Sequence, residues 1–221
     1  DQWPLKGKKL IQAHKLIQEQ LQQGHTVAST SPWNTLIFVV PKKSGKWRLL
    51  QDLQVINAVL QPMGITQPGK PNPTMIPKER ELQVIDIKDC FFTIPLHPDD
   101  CSHFTFSVPS VNNAVSMQHY QWTVLRQGMT NSPTICQIVV AAAIQWSQDA
   151  FPNAIIYHYM DDILIAAETT QYLKSVVQHL IDSLQTFGLQ ISTEKIQKMP
   201  PWKYLGWILM KRTVQPQSLK L

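Results

Sequence analysis

The spacing of apolar and polar residues predicts three helices. Apolar residues recur every three or four positions in a Lys- and Gln-rich stretch, which predicts an amphipathic helix over residues 6–23. A second helix is predicted over residues 170–187, followed by Gly188 at the C-cap position. A third is predicted over residues 136–146, with one apolar side formed by Val139, Ala142 and Trp146.

Runs of β-prone residues predict strands at residues 36–40, 46–53, 82–87, 155–160, 163–166 and 203–209. The first two are joined by a short basic loop at residues 41–45, which predicts a hairpin with a cationic tip. Only Asp161 and Asp162 separate the fourth run from the fifth, and two residues are the minimum for a hairpin. The order of these elements favours an α+β fold with helices on one face of a sheet.

Proline spacing predicts a boundary within the chain. Five prolines fall between residues 62 and 77, which excludes regular structure there and indicates a crossing between two parts of the molecule. The chain also starts at Asp1 without a methionine, so we expect it to be a piece of a longer translated product.

Composition narrows the class of protein. With 221 residues and 43% apolar content, the chain can build a substantial core, and a net charge of +5 mildly favours polyanionic partners. Three cysteines without a C-x-x-C pair predict neither a disulfide framework nor a zinc site, and suit a reducing, intracellular compartment. No apolar run approaches the roughly 18 residues needed to span a bilayer, so no membrane segment is predicted.

Three aspartates stand out because apolar residues surround them. Asp161 and Asp162 lie between two apolar runs, and Asp86 interrupts another. Unpaired carboxylates in such a setting are costly, whereas Mg²⁺ prefers carboxylate ligands. The alternative for an isolated Asp-Asp pair is an ordinary solvated turn, and the pair at 99–100, which lacks apolar strands on both sides, is interpreted that way.

The tetrapeptide Tyr-Met-Asp-Asp at residues 159–162 resembles the catalytic hairpin of retroviral reverse transcriptases. Further blocks resemble the same family in the same order, at residues 2–5, 46–53, 85–92, 127–133 and 204–206. The resemblance covers essentially the whole chain. Residues 88–96 and 131–137 look most like betaretroviral and group K endogenous retroviral polymerases.

This resemblance implies the fingers and palm of a right-hand polymerase, with an antiparallel palm sheet backed by helices. The implied fingers are residues 1–61 and 95–131, and the implied palm is residues 62–94 and 132–212. Residues 213–221 would lead toward a thumb that is missing, together with the connection and RNase H regions.

The implied activity is RNA-directed DNA synthesis with two Mg²⁺ ions, or Mn²⁺, held by Asp86, Asp161 and Asp162, the first two bridging both ions. The resemblance also implies a nucleotide pocket. Backbone amides near Asp89 and Cys90 would cradle the triphosphate, and Lys42 and Arg48 would supply cations for it. Phe91 would be the steric gate against ribonucleotides, and Gln127 and Met129 would line the base and sugar of the nucleotide. Met160 would touch the primer terminus, and Leu205 and Gly206 would form the primer grip.

The implied partners are an RNA or DNA template with its primer, deoxynucleoside triphosphates and the remainder of the Pol polyprotein, with no membrane. The implied location is the cytoplasm, or a virus-like particle if one assembles. Without the resemblance, the lysines at 42–46 are better explained as a solvated basic loop. Trp47 and Trp146 are assigned to core packing, and His158 to a hydrogen-bonded strand position rather than to a metal site.

Two residues depart from the family pattern. Arg126 replaces the proline of a Leu-Pro-Gln-Gly block, placing a flexible cation before Gln127, and Gln54 stands where arginine is usual. Both resemble the drift of an endogenous copy. The alternative function is therefore a decayed remnant that only binds nucleic acid. A second alternative, an RNA-directed RNA polymerase, conflicts with Phe91, because an enzyme that uses ribonucleotides needs a small or polar residue at the gate.

Overall fold

The computed structural model describes residues 5–42, 45–64, 66, 69–111 and 114–217. They form a mixed fold of helices and antiparallel sheets. The chain divides into two compact units: unit 1 comprises Asp1–Pro62 and Phe91–Ser132, and unit 2 comprises Met63–Cys90 and Pro133–Leu221. The sequence prediction divides the chain after residues 61, 94 and 131.

The helices are α1 (Gly7–Gln22), α2 (Gln54–Val59), α3 (Cys90–Thr93), α4 (Pro98–Cys101), α5 (Ser132–Ala150) and α6 (Thr170–Thr186). The strands are β1 (Thr26–Ala28), β2 (Ile37–Pro41), β3 (Trp47–Gln51), β4 (Glu81–Lys88), β5 (Thr105–Val108), β6 (Gln118–Trp122), β7 (Ile155–Tyr159), β8 (Asp162–Ala167), β9 (Gln190–Ile191), β10 (Trp202–Tyr204), β11 (Trp207–Leu209) and β12 (Val214–Pro216). Short 3₁₀ turns lie at Pro73–Met75, Ser102–Phe104 and Thr193–Lys195.

Unit 1 contains a three-stranded sheet, in the order β1-β6-β5, and the hairpin β2-β3. The hairpin confirms the pairing predicted from sequence, and its turn is closed by the Lys42 N–H, which donates to the Lys46 carbonyl at 2.7 Å. Two residues of the predicted tip, Lys43 and Ser44, lie outside the described residues. Helix α1 buries Leu10, Ala13 and Ile17, the stripe that its spacing predicts.

Unit 2 contains a four-stranded antiparallel sheet in the order β7-β8-β4-β9. Strand β8 is buried on both faces, which explains its uninterrupted apolar sequence after Asp162. Helix α6 buries the apolar stripe predicted for it against β8 and β4. Gly188 follows this helix with a φ of +76°, as its predicted role requires.

Helix α5 is longer than predicted and turns a different side inward. Ala142 is exposed and Trp146 is 51% exposed, so the assignment of Trp146 to the core is wrong. The buried side holds Val140, Ala143 and Ile144 instead. Because every residue from 138 to 144 is apolar, the spacing does not single out one face. Trp146 is held at the surface by an edge contact with Phe187, with ring centroids 5.3 Å apart.

The strand predicted over residues 203–209 is wrong in one respect, because the chain reverses within it. Leu205 and Gly206 have φ angles of +48° and +87° and join β10 to β11 in a hairpin. Two consecutive residues with positive φ are the signature of a tight hairpin turn.

Three further predictions concern the acidic pair at residues 99–100, the cysteines and a membrane segment. Asp99 and Asp100 are exposed, as expected for a solvated turn, and this turn is the short helix α4. Cys90, Cys101 and Cys136 are all buried, and they form no disulfide with one another. Within the described ranges, none of the helices combines the length and apolarity needed to cross a bilayer.

Candidate active site

The central feature of unit 2 is the hairpin β7-β8, whose turn carries Met160 and Asp161. The register pairs Tyr159 with Asp162, so the turn has the predicted length of two residues but lies one position earlier than predicted, at Met160 and Asp161 instead of Asp161 and Asp162. Met160 has a φ of +56°, an uncommon conformation for a residue other than glycine, asparagine or aspartate. The surrounding structure must therefore hold this turn in place.

Gln137 on α5 supplies one such restraint. Its Oε1 atom accepts the Met160 N–H at 2.7 Å, and its Nε2 atom lies 3.0 Å from His158 Nε2. His158 is thus a hydrogen-bonded strand residue, as predicted. Sequence reasoning missed Gln137, although a buried glutamine beside the apolar run of α5 is a signal that could have revealed it.

The third aspartate lies on the neighbouring strand. The register of β4 with β8 places Asp86 directly opposite Asp162, and the Ile87 N–H donates to the Asp161 carbonyl at 2.8 Å. Backbone pairing thus brings Asp86 close to Asp161 and Asp162, which lie 75 and 76 positions further along the sequence.

The carboxylate of Asp86 has two partners that the sequence did not reveal. Its Oδ1 atom accepts a hydrogen bond from Ser192 Oγ at 2.7 Å and forms an ion pair with Lys195 Nζ at 2.8 Å. Lys195 is 109 positions away along the chain, and no motif or spacing links the two residues.

Burial and crowding of negative charge act on the other two carboxylates. Burial, followed by the charges of Asp161 and Asp86, raises the pKa of Asp162 to about 6. Burial also raises the pKa of Asp161, and repulsion from Asp86 adds to this effect. The positive charge of Lys195 opposes both shifts. Among the described residues, no group of three or more His, Cys, Asp and Glu side chains is arranged as a ready-made metal site.

Comparison with known proteins identifies the family. The family model described as "Reverse transcriptase (RNA-dependent DNA polymerase)" matches residues 40–209, more than half of the chain. The chain belongs to the reverse transcriptase family. This finding confirms the resemblance stated from the sequence.

Relatives of the reverse transcriptase domain are Gag-Pro-Pol polyproteins of retroviruses. That of squirrel monkey retrovirus is 52% identical over 214 residues, which is 97% of this chain and 11% of the polyprotein. That of Mason-Pfizer monkey virus is 53% identical over 209 residues, 95% of this chain and 12% of the polyprotein. That of mouse mammary tumor virus is 50% identical over 221 residues, the whole of this chain and 13% of the polyprotein. The domain therefore spans only about an eighth of the length of these relatives.

The residues predicted to bind the nucleotide are divided between the two units of the reverse transcriptase domain. Unit 1 contributes Lys42 and Arg48, both exposed on the hairpin β2-β3, the half-buried Phe91 and the exposed Gln127. Met129 is buried in unit 1, where it lines a cavity of about 500 Å³ together with Trp33 and Leu96.

Unit 2 of the reverse transcriptase domain contributes the remaining predicted residues. Asp89 has a φ of +47° immediately before α3, and Cys90 is buried at the start of that helix. Hydrogen bonding to Cys136, together with burial, raises the pKa of the Cys90 thiol. Leu205 and Gly206 form the turn between β10 and β11.

The turn around Gly128 has a support that sequence reasoning missed. Asn57 Nδ2 donates to the Gly128 carbonyl at 2.8 Å, and Asn57 Oδ1 accepts the Thr130 N–H at 2.9 Å. One asparagine within α2 therefore braces the loop that contains Gln127. Gln54, the other departure from the family pattern, begins α2, and its N–H donates to Asp52 Oδ1 at 3.0 Å.

Arg126 is not the flexible cation that the sequence suggested. It is 2% exposed, and its guanidinium carbon lies 3.4 Å from the centroid of the Trp122 ring and 5.3 Å from that of Phe92. Stacking on these rings explains why the side chain is retained inside unit 1. Among the described residues, its Nε and Nη1 atoms have no hydrogen-bond partner.

Proposed function

We propose that this reverse transcriptase domain extends a primer 3′-hydroxyl with deoxynucleotides on an RNA template. The observation that carries the proposal is the pairing of β4 with β8, which sets Asp86 opposite Asp162 beside the Asp161 turn. Membership of the reverse transcriptase family supports it. Because the domain spans only 11–13% of its polyprotein relatives, their activity is extended to it as a proposal.

Asp86, Asp161 and Asp162 would hold the divalent metal. The fit rests on chemistry, because carboxylate oxygens suit Mg²⁺ or Mn²⁺. Burial, followed by the charges of Asp161 and Asp86, raises the pKa of Asp162 to about 6, and a divalent cation would compensate the crowded negative charge. Two such ions, when bound, activate the attacking hydroxyl and stabilise the leaving pyrophosphate. The protein's own contribution is to hold the three carboxylates on a hairpin fixed by Gln137 and by strand pairing.

The residues of the proposed nucleotide pocket have distinct roles. Lys42 and Arg48 are exposed and would pair with the triphosphate, since charge-assisted hydrogen bonds to phosphate favour these side chains. Backbone amides near Asp89 and Cys90 would cradle the same group. Phe91 would exclude the 2′-hydroxyl of a ribonucleotide. Gln127 and Met129 would contact the base and sugar of the nucleotide. Met160 would contact the primer terminus, and Leu205 and Gly206 would contact the primer strand.

Unit 1 would act as the fingers and unit 2 as the palm of a right-hand polymerase. The partners would be a primed RNA or DNA template, deoxynucleoside triphosphates and the other parts of a Pol polyprotein. We place the domain in the cytoplasm or in an assembled retrovirus-like particle, the setting suggested by its retroviral relatives.

Primer extension on an RNA template tests the main proposal. The chain would be assayed with Mg²⁺ and with Mn²⁺, beside Asp161→Asn and a matched control, Asp149→Asn, which alters an exposed aspartate at the end of α5. We expect extension by the original chain and by the control, and loss of extension in Asp161→Asn. Extension that survives in Asp161→Asn would rule out the proposed metal site.

The steric gate has its own test in the same assay. We expect Phe91→Ala to reduce discrimination against ribonucleotides, measured as the ratio of kcat/KM for a deoxynucleotide to that for the matching ribonucleotide. An unchanged ratio would show that Phe91 is not the gate.

Arg126 favours a second candidate function, a decayed domain that binds nucleic acid without extending a primer. The pocket residue Gln127 directly follows a buried guanidinium, two of whose nitrogens have no hydrogen-bond partner within the described ranges. Extension seen only after Arg126→Pro would indicate a pocket that has decayed. Binding of a primed template in a gel shift, with no extension by either chain, would favour the remnant.

A further inference from the structure

A positive charge of the protein itself occupies one oxygen of the proposed metal site. Lys195 Nζ lies 2.8 Å from Asp86 Oδ1, and Ser192 Oγ donates to the same oxygen from 2.7 Å. The Asp86 side chain is only 14% exposed, so both donors replace water that a free carboxylate would keep.

The segment that carries these two donors is fixed to the strand of Asp86. Strand β9 pairs with β4, with Ile191 opposite Ile87, and the Ser192 N–H donates to the Asp86 carbonyl at 2.8 Å. The Lys195 N–H in turn donates to the Ser192 carbonyl at 3.0 Å. The backbone of Lys195 is therefore anchored close to Asp86.

The side chain of Lys195, by contrast, is free to leave. It is 58% exposed, and its long stem can carry the ammonium into water without disturbing the backbone. Ser192, which is 2% exposed, has no such freedom. The two donors therefore differ in both charge and mobility.

A divalent ion and an ammonium cannot share one carboxylate oxygen without strong repulsion between like charges. We propose that Lys195 is a built-in counter-cation that occupies Asp86 Oδ1 in the metal-free domain and must be displaced before a divalent ion binds there. This inference rests on the proposed function, because it takes Asp86 as a metal ligand. Lys195 thereby sets the concentration of divalent ion at which the site fills.

Substitutions at Lys195 can separate the effect of its charge from that of its hydrogen bond to Asp86. Lys195→Met removes both the positive charge and the donor, whereas Lys195→Gln keeps a donor without charge. Lys195→Arg keeps both. Lys198→Met is the matched control, because Lys198 is an exposed lysine three positions further on that forms no ion pair among the described residues.

The experiment measures binding of Mn²⁺ alone to the 221-residue chain, from the electron paramagnetic resonance signal of the free ion. We expect Lys195→Met and Lys195→Gln to lower the apparent Kd about tenfold, and Lys195→Arg and Lys198→Met to leave it near the original value. Thermal unfolding in EDTA and in Mn²⁺ is a second readout. Both neutral variants should gain more stability from Mn²⁺ than the original chain does.

Three results would overturn the inference. An unchanged or weaker Kd in folded Lys195→Gln, with Mn²⁺ binding lost in Asp161→Asn, would reject the counter-cation while leaving the proposed metal site intact. Equal tightening in Lys198→Met would assign the effect to general surface charge. Absence of Mn²⁺ binding in every chain would reject the proposed metal site and the counter-cation together.

Discussion

Arg126 places a positive charge in the interior of unit 1. Burial lowers the pKa of its guanidinium to about 9, so the side chain remains charged at neutral pH. Stacking on Trp122 and Phe92 compensates part of the cost of desolvation. The two unpartnered nitrogens remain as a net penalty.

We expect Arg126→Met to stabilise the domain by about 1–3 kcal/mol, because methionine fills similar space against the rings without burying a charge. The measurement is the free energy of unfolding in urea at pH 7. Arg126→Lys is the control: it keeps the charge and loses the planar stacking, so it should be less stable than the original chain. A destabilised Arg126→Met would mean that the ring contacts outweigh the buried charge.

His158 makes the hairpin at the candidate site sensitive to acid. Burial lowers the pKa of His158. Gln137 Oε1 is engaged by the Met160 N–H, so its amide nitrogen faces His158 Nε2, which must then be the unprotonated acceptor. Protonation would set two donors against each other at this position.

The unfolded chain therefore takes up a proton at His158 near pH 6.5, before the folded chain does, so the contribution of His158 to stability falls as the pH drops through this range. We expect His158→Gln to reduce the loss of stability between pH 7 and pH 5. Thermal unfolding midpoints across this range provide the measurement. The exposed His103→Gln serves as control, and an equal benefit from it would argue against the buried ring as the cause.

At the residue scale, the site residues that the sequence predicted are marked by their neighbours in the chain, and those that it missed are defined by contacts in the fold. Asp86, Asp161 and Asp162 draw attention because isolated carboxylates interrupt apolar runs. Asn57 and Lys195 act through contacts made only in the folded chain, with no local pattern to signal them. Gln137 has only the weak signal of a polar residue directly before an apolar run. Their roles depend on which segments the fold brings together.

Strand β8 is the element on which the candidate site depends most directly. Its residues from Ile163 to Ala167 are at most 1% exposed. Leu164 and Ala166 pack into a cluster with Trp202, Tyr204 and Leu209, which fills one face of the strand. The position of Asp162 is fixed by the burial of the residues that follow it.

We expect Leu164→Ala to cost about 2–5 kcal/mol in unfolding free energy, through lost burial and the cavity left beside Trp202. Urea denaturation compares it with Ile138→Ala, which truncates a residue that is 44% exposed on α5. The control should change stability by less than about 1 kcal/mol. Similar losses in the two variants would contradict the central position of β8.

Elements were predictable where periodicity is unambiguous. Helices α1 and α6 place apolar residues on one stripe, and their cores follow from spacing. Helix α5 is apolar on several sides, so its buried face is decided by its neighbours, including Ser183 Oγ, which donates to the Ala143 carbonyl at 2.6 Å. The turn at Leu205 was missed because leucine rarely adopts positive φ, although the adjoining Gly206 is a usable signal.

At the scale of the whole molecule, the net charge bears on nucleic-acid binding, and the division into two units bears on what the sequence could predict. The net charge of +5 predicts that binding of a primed template depends on contacts to phosphates. The first of the two segments of unit 1 ends at Pro62, at the start of the proline-rich stretch. The later divisions, after Cys90 and after Ser132, have no comparable signal in composition and could be placed only from the resemblance to a known family.

We expect the affinity for an RNA–DNA duplex to fall about ten- to hundredfold between 50 and 200 mM NaCl, because released counterions contribute to binding. Fluorescence anisotropy of a labelled duplex provides the measurement. Asp161→Asn should retain the same salt dependence, since it alters the proposed catalytic site and not a basic residue. Salt-independent binding would indicate contacts dominated by bases or apolar surface.

The burial of Cys90, Cys101 and Cys136 has a practical consequence for solution studies. Maleimide dyes react with accessible thiolates, so the native chain should remain largely unlabelled while folded. Cysteines introduced at exposed positions, such as Lys9 on α1 and Ser175 on α6, would then be the preferred attachment points. A donor and an acceptor at these positions would report the separation of the two units by energy transfer, with the natural thiols left in place.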